Sequence, residues 1–226
     1  MKTQGIALLT LISLLILATS GCIIHIGGHK DGDNSHQQSD ISSVLGNLEV
    51  DAHSEVRDVS TVNGKITIND DVKAKDLDTV NGNINIGKNV SINEASTVNG
   101  SITAAPQLKV KNDLSTVNGD IHLAKNAEVG GDITTVNGDI TLLTATIFGQ
   151  LETQNGDISL HDGTQVQGDI IFQAREQKRW LKGELPTLSI NASSNVKGKI
   201  LLYRKVILEI DNADLLAKIE RHYEQH

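Results

Sequence analysis

The chain has 226 residues, 20 of them glycine, with aromatics at only 2% and a formal net charge of −8. So little aromatic volume excludes the broad core of an ordinary globular domain and points to a thin one of Ile, Val, Leu and Ala, as in a solenoid. The acidic balance excludes a basic nucleic-acid footprint, and a single cysteine excludes an internal disulfide.

Met1-Lys2 supplies a short positive start, and Ile6 to Ala18 an apolar stretch broken only by Thr10 and Ser13. The stretch is short for a membrane span, and small residues follow it directly as Ala18-Thr19-Ser20-Gly21-Cys22, the tripartite form of a cleaved export signal. Gly21-Cys22 resembles the lipobox read by lipoprotein signal peptidase, although the leucine that pattern places three residues before the cysteine is Thr19 here, with Leu17 two residues earlier. The resemblance implies a signal peptide over 1–21 and a lipid-modified Cys22. Its partner would be membrane lipid, held by about three acyl chains, enough for stable anchoring. With Ile23 rather than Asp after the cysteine, the same resemblance implies the outer membrane of a bacterial cell envelope. The alternative is an uncleaved N-terminal anchor helix, but the sole cysteine stands where the anchor chemistry needs its thiol.

Residues 22–43 read as a polar tether, rich from about Gly27 in Gly, Asp, Ser, Gln and His. His25, His29, His36, Asp31 and Asp33 lie in it, but without fixed geometry they do not make a metal site.

From 44 to 210 the chain repeats. Asn-Gly recurs at Asn63-Gly64, Asn81-Gly82, Asn99-Gly100, Asn118-Gly119, Asn137-Gly138 and Asn155-Gly156, with spacings of 18, 18, 19, 19 and 18, and Gly46 marks a degenerate first turn. Apolar columns fall in register behind each glycine. They begin at Leu48, Val50, Val56 and Val59 in the first turn and recur, for example, at Ile140, Leu142, Phe148 and Leu151. Each turn thus holds three short segments of period-2 alternation separated by corners. Antiparallel hairpins also use Asn-Gly, but a meander would place two equivalent strands in each period. Here three unlike segments each match their counterpart one turn later, which is parallel coiling with turns about 4.8 Å apart. The left-handed hexapeptide helix demands an aliphatic residue every six, and Asp78, Thr146 and Thr164 break that rhythm. The expectation is therefore an all-β, single-stranded parallel β-helix, three-sided and right-handed, irregular from about 171.

Stacked turns put like residues in ladders. The Asn-Gly column reads as a structural corner, with glycine supplying a positive φ and asparagine amides bonding along the stack. The valines (Val62, Val80, Val98, Val117, Val136) read as core, with a bend before the corner turning them inward past the threonines Thr61, Thr79, Thr97, Thr116, Thr135 and Thr153. Outward valines would instead form an apolar stripe for self-association or a partner. The threonine rank and a second rank (Thr67, Asn85, Thr103, His122, Thr141, Ser159) are parted by the corner, which argues against ice binding. An acidic column runs Asp58, Asp76, Glu94, Asp113, Asp132, Gln150, Asp169, and a second run holds Asp120, Asp139 and Asp157. Those three could take up a divalent cation weakly, but a solvated corner is the default, and no cofactor is expected. The regular repeats contain one arginine, Arg57, and no long loop to build a cleft; the acidic ladder has no evident base, nucleophile or oxyanion donor beside it, so no enzyme is expected.

After Ile170 the segment Arg175-Glu-Gln-Lys-Arg-Trp-Leu-Lys interrupts the repeat, with Trp180 expected to pack over the coil. Residues 211–226 read as a short capping α-helix, begun by Asp211 or Asn212, with Leu215, Leu216, Ile219 and Tyr223 on one face. Such a cap would cover an open β-helix end. His222 and His226 have i, i+4 spacing, but at a chain terminus they carry little as a metal pair.

The T-V-N-G-x-I-x-I repeats, with variants such as Val129-Gly-Gly-Asp-Ile and Val166-Gln-Gly-Asp-Ile, resemble a bacterial adhesin-labelled repeat family found behind export signals. They also resemble the bactofilins, polymer-forming scaffolds built as right-handed triangular β-helices, a likeness of shape only because bactofilins are cytoplasmic. The likeness covers roughly residues 44 to 210. It implies a non-catalytic, envelope-anchored structural or adhesin-like module with a protein or glycan partner. The alternatives are a carbohydrate-active enzyme or a self-associating scaffold.

Overall fold

The computed structural model describes residues 24–26, 39–174 and 185–223. Three parallel sheets wrap one core, each built by stacking the same segment of successive turns. Sheet 1 follows the Asn-Gly corner and has ten strands, from Ile24–Ile26 through Leu48–Val50 and Ile66–Ile68 to Ile207–Ile210. Sheet 2 has six short strands between Ser91–Ile92 and Asn195–Val196, and isolated bridges carry it down through Lys73 to Glu55. Sheet 3 leads into the next corner with ten strands, from Ile41–Leu45 and Val59–Asn63 to Ile219–Arg221. The fold is therefore the all-β parallel β-solenoid that the repeat predicts.

The register is strict. Ile66 pairs with Ile84, Ile84 with Ile102, and Ile102 with Ile121, so each core side chain sits on its counterpart one turn away. The sheet 1 columns headed by Leu48 and Val50 and the sheet 3 column headed by Val59 are buried as far as Leu188, Ile190 and Ile200, and their last members, Leu208, Ile210 and Ile219, are partly buried. Each buried Ile, Leu or Val contributes about 1.5–3 kcal/mol of transfer free energy, repeated every turn.

A further inward column runs through Val72, Val90, Leu108, Ala127 and Ala145, and at Ser54, Thr164 and Ser194 it is polar but still buried. Thr164 fits because its hydroxyl donates to the Leu142 and His161 carbonyls at 3.2 and 2.8 Å. In the sheet 2 column Ile147 takes the slot expected for Phe148, pairing with Val129 and Val166, while Phe148 points outward at 51% exposure. The cause is one residue fewer between Leu142 and Ala145 than in the turn before, which advances the pattern by one.

The coil starts before residue 44. Ile41 is buried and pairs with Val59, and Ile24–Ile26 pairs with Leu48–Val50, so the expected tether contributes two strands.

The expected capping α-helix is a six-residue 3-10 segment, Ala213–Lys218, after which Ile219–Arg221 returns to sheet 3 beside Ile200–Leu202. Asn212 caps it, its side-chain oxygen accepting from Asp214 N at 3.2 Å. Leu215 is its buried anchor, and Leu216 faces solvent at 53% exposure. Lys218 Nζ donates to the Val196 and Lys197 carbonyls, closing the end of sheet 2. The sequence 219–221 gains more by completing backbone pairs on a sheet edge than by extending a helix with few apolar contacts.

The glycines of the six Asn-Gly corners, Gly64 to Gly156, are not at positive φ. Among the described residues that conformation falls at Gly46 and Gly163 and, in the corner between sheets 1 and 2, at His53, Asp71, Asn89, Gln107, Asn126, Thr144 and Asp162. The corner glycines are required by proximity instead. A Cβ on Gly82, Gly100, Gly119 or Gly138 would overlap the carbonyl oxygen of the glycine one turn below. Gly119→Ala should therefore cost about 3 kcal/mol or more, because backbone and not a movable side chain is in the way. Thr144→Gly should stabilise by about 1 kcal/mol, since a β-branched residue at φ 49° is strained. Urea unfolding midpoints of the two variants check both signs.

Candidate functional site on the outer faces of the coil

The threonine and valine ladders lie opposite to the expected way round. Thr61, Thr79, Thr97, Thr116, Thr135 and Thr153 are buried, while Val62, Val80, Val98, Val117 and Val136 point outward and stand half-buried on the surface of sheet 3. Strict alternation from Leu77 is kept, with no bend before the corner. A buried hydroxyl is tolerable because each threonine has a partner. Thr79 Oγ1 donates to Gly64 O at 3.0 Å, Thr97 to Gly82 O at 3.0 Å and Thr116 to Gly100 O at 2.9 Å, with Thr61 and Thr135 similar. Thr153 instead accepts from Gly156 N at 3.1 Å. The consequence is a line of apolar side chains, one per turn. Beside it runs an outward column holding Ser60, Asp78, Ser96, Ser115 and Thr134.

Next to the valines, at the corner, stands an asparagine ladder. Asn81 Nδ2 donates to Asn63 Oδ1 at 2.8 Å, and the same bond at the same length joins Asn99 to Asn81, Asn118 to Asn99, Asn137 to Asn118 and Asn155 to Asn137. Arg204 Nη1 ends the ladder, donating to Asn155 Oδ1 at 2.9 Å and to Gln154 O at 2.6 Å. Leu45, at 47% exposure, occupies the position below Asn63.

The acidic run beyond the corner glycines is tied to backbone. Asp120 Oδ1 accepts from Asp139 N at 2.9 Å, Asp139 Oδ1 from Asp157 N at 2.8 Å, and Asp157 Oδ1 from Thr187 N at 2.7 Å. Asp113, Asp132 and Asp169 do the same at the corner between sheets 2 and 3, toward Asp132, Gln150 and Lys199. Each carboxylate thus meets an N–H of the next turn, which offsets part of the repulsion within its column. Among the described residues no group of three or more His, Cys, Asp or Glu is arranged to hold a metal.

Lower in the second column the arrangement is less favourable. Burial, with the like charges of Asp58 and Asp78, raises the Asp76 carboxyl above its ordinary range. Burial and the charges of Asp76, Asp78 and Asp113 raise Glu94. Asp58 Oδ1 is buried without a hydrogen-bond partner. Arg57 forms a forked pair with Asp40, at 2.8 and 2.6 Å, which holds the Asp40 carboxyl below its ordinary range.

Sheet 2 carries a feature that the motifs do not announce. Lys73, Lys109 and Lys111 border a shallow depression of about 580 Å³ floored by Ala74, Ile92 and Val110. The signal was present in the spacing, since Lys73 and Lys109 stand nine residues after Gly64 and Gly100, but lysines on a repeat read as solvated countercharges. At the upper end His222 stacks on Tyr203 with ring centroids 4.8 Å apart and approaches Glu220 at 3.7 Å. Cys22, His29, His36, Asp31, Asp33, Trp180 and His226 lie outside the described residues, as does the side chain of His25.

No family model matches this chain, and no curated protein or solved structure gives a match to it.

Asn99→Leu removes one rung of the ladder and two hydrogen bonds with it, and should lower stability by about 1–2 kcal/mol in urea unfolding. The raised carboxyls make a prediction of opposite sign. The native state holds the Asp76 and Glu94 protons more tightly than the unfolded chain does, so these groups subtract stability at neutral pH. That deficit is relieved as pH falls through their raised native values and vanishes below the unfolded ones, near about 4. Asp76→Asn with Glu94→Gln should therefore raise the melting temperature at neutral pH and leave it nearly unchanged at about pH 3.5. Thermal melts at the two pH values check this.

Proposed function

We propose that this chain is a non-catalytic lipoprotein of the bacterial envelope, anchored in the outer membrane through an acylated Cys22. Its coil is displayed as an adhesin-like binding module for a protein or glycan. The observation that carries this reading is the outward valine line of sheet 3, from Val62 to Val136, flanked by the Asn63 to Asn155 ladder. An apolar line repeated at the strand spacing, about 4.8 Å, suits an extended macromolecular partner laid along the coil. Each rung offers one modest contact, and affinity comes from summing them.

A second reading, a self-associating scaffold, has its own observation. Ile207–Ile210 and Ile219–Arg221 are the last strands of sheets 1 and 3, each paired on one side, and an edge of this kind can pair with another chain. Filaments that grow with protein concentration would favour it.

Cys22→Ala should abolish fatty-acid labelling and leave the segment 1–21 uncleaved, read by labelling and by intact mass. Capture from the envelope tests the binding role. Val80→Ser, Val98→Ser and Val117→Ser combined should weaken recovery of the wild-type partner roughly tenfold, the loss expected for about 1.4 kcal/mol of apolar contact. Equal recovery by wild type and variant, or turnover of a polysaccharide with nothing captured, overturns the reading.

A further inference from the structure

Sheet 2 runs against the overall charge of the molecule. In one outward column Glu55, Lys73, Ser91, Lys109 and Glu128 follow each other turn by turn. In the next stand Lys75, Asn93, Lys111, Gly130 and Phe148, each one residue beyond the aligned core positions Ala74, Ile92, Val110, Val129 and Ile147. Lys73, Lys109 and Lys111 are exposed and form no ion pair with another described residue. They rim the depression over Ala74, Ile92 and Val110, with Glu128 closing one side of its upper end and Gly130 opening the other by leaving one turn without a side chain. Beyond that gap Phe148 presents a ring at 51% exposure, one of only 2 phenylalanines in the chain.

We propose that this face binds a linear acidic glycan lying along the coil, its carboxylates set against Lys73, Lys109 and Lys111 and a sugar ring on Phe148. The inference rests on the reading of a displayed binding module and names the class of glycan it takes. Lys73 and Lys109 are two turns apart, about 9.6 Å at the strand spacing, which is close to the length of a disaccharide unit. A polymer with one carboxylate per disaccharide therefore meets a lysine at each charge, with the Ser91 hydroxyl opposite the neutral sugar between them. Glu55 and Glu128 bracket the column and limit the basic stretch to the turns between. The carboxylates of Asp76, Glu94 and Asp113 line the adjoining corner, so a broad and densely charged polyanion such as nucleic acid is repelled where a narrow chain is not. Phe148 adds what charge cannot, a flat apolar surface for the C–H face of a sugar.

The test is titration calorimetry on the lipidated full chain in detergent, with three probes: a hyaluronan decasaccharide, a neutral chitin oligosaccharide and a short oligothymidylate. Hyaluronan should bind, more weakly as salt rises. Lys73→Gln, Lys109→Gln and Lys111→Gln combined should lose at least tenfold in affinity, and Phe148→Ser several-fold. Lys65→Gln with Lys205→Gln, far from the depression, should bind like wild type, and all variants should keep the wild-type melting curve. No binding of hyaluronan, tighter binding of oligothymidylate or of the neutral sugar, or equal loss in the Lys65 and Lys205 control overturns the proposal. The valine variant separates it from the reading it rests on. If hyaluronan fails while envelope capture still depends on the valine line, this inference falls alone.

Discussion

The contact on which the rest of the structure depends is the stacking of one corner glycine on another. Backbone pairing continues through this corner, from Gly64 N to Asn81 O and from Gly82 N to Asn99 O, both at 3.1 Å. Successive turns therefore keep the spacing of a sheet where the chain changes direction. At that distance there is no room for a Cβ, and glycine is needed for closeness and not for an unusual φ. The same closeness brings each glycine carbonyl within reach of the threonine three residues before the next glycine, which lets a polar column enter the core. It also sets the asparagine amides at hydrogen-bond distance from one another. Glycine, threonine and asparagine recur together because one geometric constraint requires all three.

Strict stacking also has an electrostatic cost, since any charged residue in the repeat is placed beside its own copies. Most of the corner carboxylates meet this by accepting an N–H from the turn above, as Asp120, Asp139 and Asp157 do in sequence. An aspartate there acts as a clamp between turns, which accounts for the accumulation of acids at the corners. Asp76 and Glu94 sit partly buried among like charges, and their raised carboxyl values mark where the column is strained. The exposed lysines of sheet 2 lie on the neighbouring face, where Lys75 relieves Asp76 only as its smallest contribution.

The fold was legible because a period of 18 or 19 residues, with three unlike segments per period, admits few arrangements besides parallel coiling. What was not legible follows from chemistry that a column of letters hides. Valine looks like core and threonine like surface, yet the carbonyl of a glycine one turn away makes burial of the hydroxyl favourable and frees the valine to face solvent. Nothing local to Thr-Val-Asn-Gly announces that partner, which comes from 15 or 16 residues earlier. Phe148 lies outside the core for a related reason, since one residue dropped from the preceding corner shifts the pattern and gives its slot to Ile147. At the C-terminus the amphipathic pattern predicts an α-helix, but Ile219 to Arg221 have an open sheet edge beside them, and backbone pairing outweighs helical periodicity. The valine line was thus visible only as an alternative, and the lysine depression only as a spacing of lysines that looks like solvated countercharge.

A coil of this kind converts sequence period into distance, and that bears on what its faces can recognise. A small molecule meets one or two rungs and gains little, because each rung presents a single valine, lysine or amide to solvent. A polymer with a matching repeat meets several rungs at once, and once the first is engaged the others bind at high effective concentration. Selectivity then rests on pitch and on where the pattern stops. On sheet 3 the outward valines give way to Gln154 after Val136, and on sheet 2 the lysines are bounded by Glu55 and Glu128. Departures from the repeat are therefore as informative as the repeat. Gly130, by omitting one side chain from its column, breaks the periodicity of sheet 2 and leaves Phe148 standing clear, so a departure from the repeat gives this face a shape that the regular rungs lack.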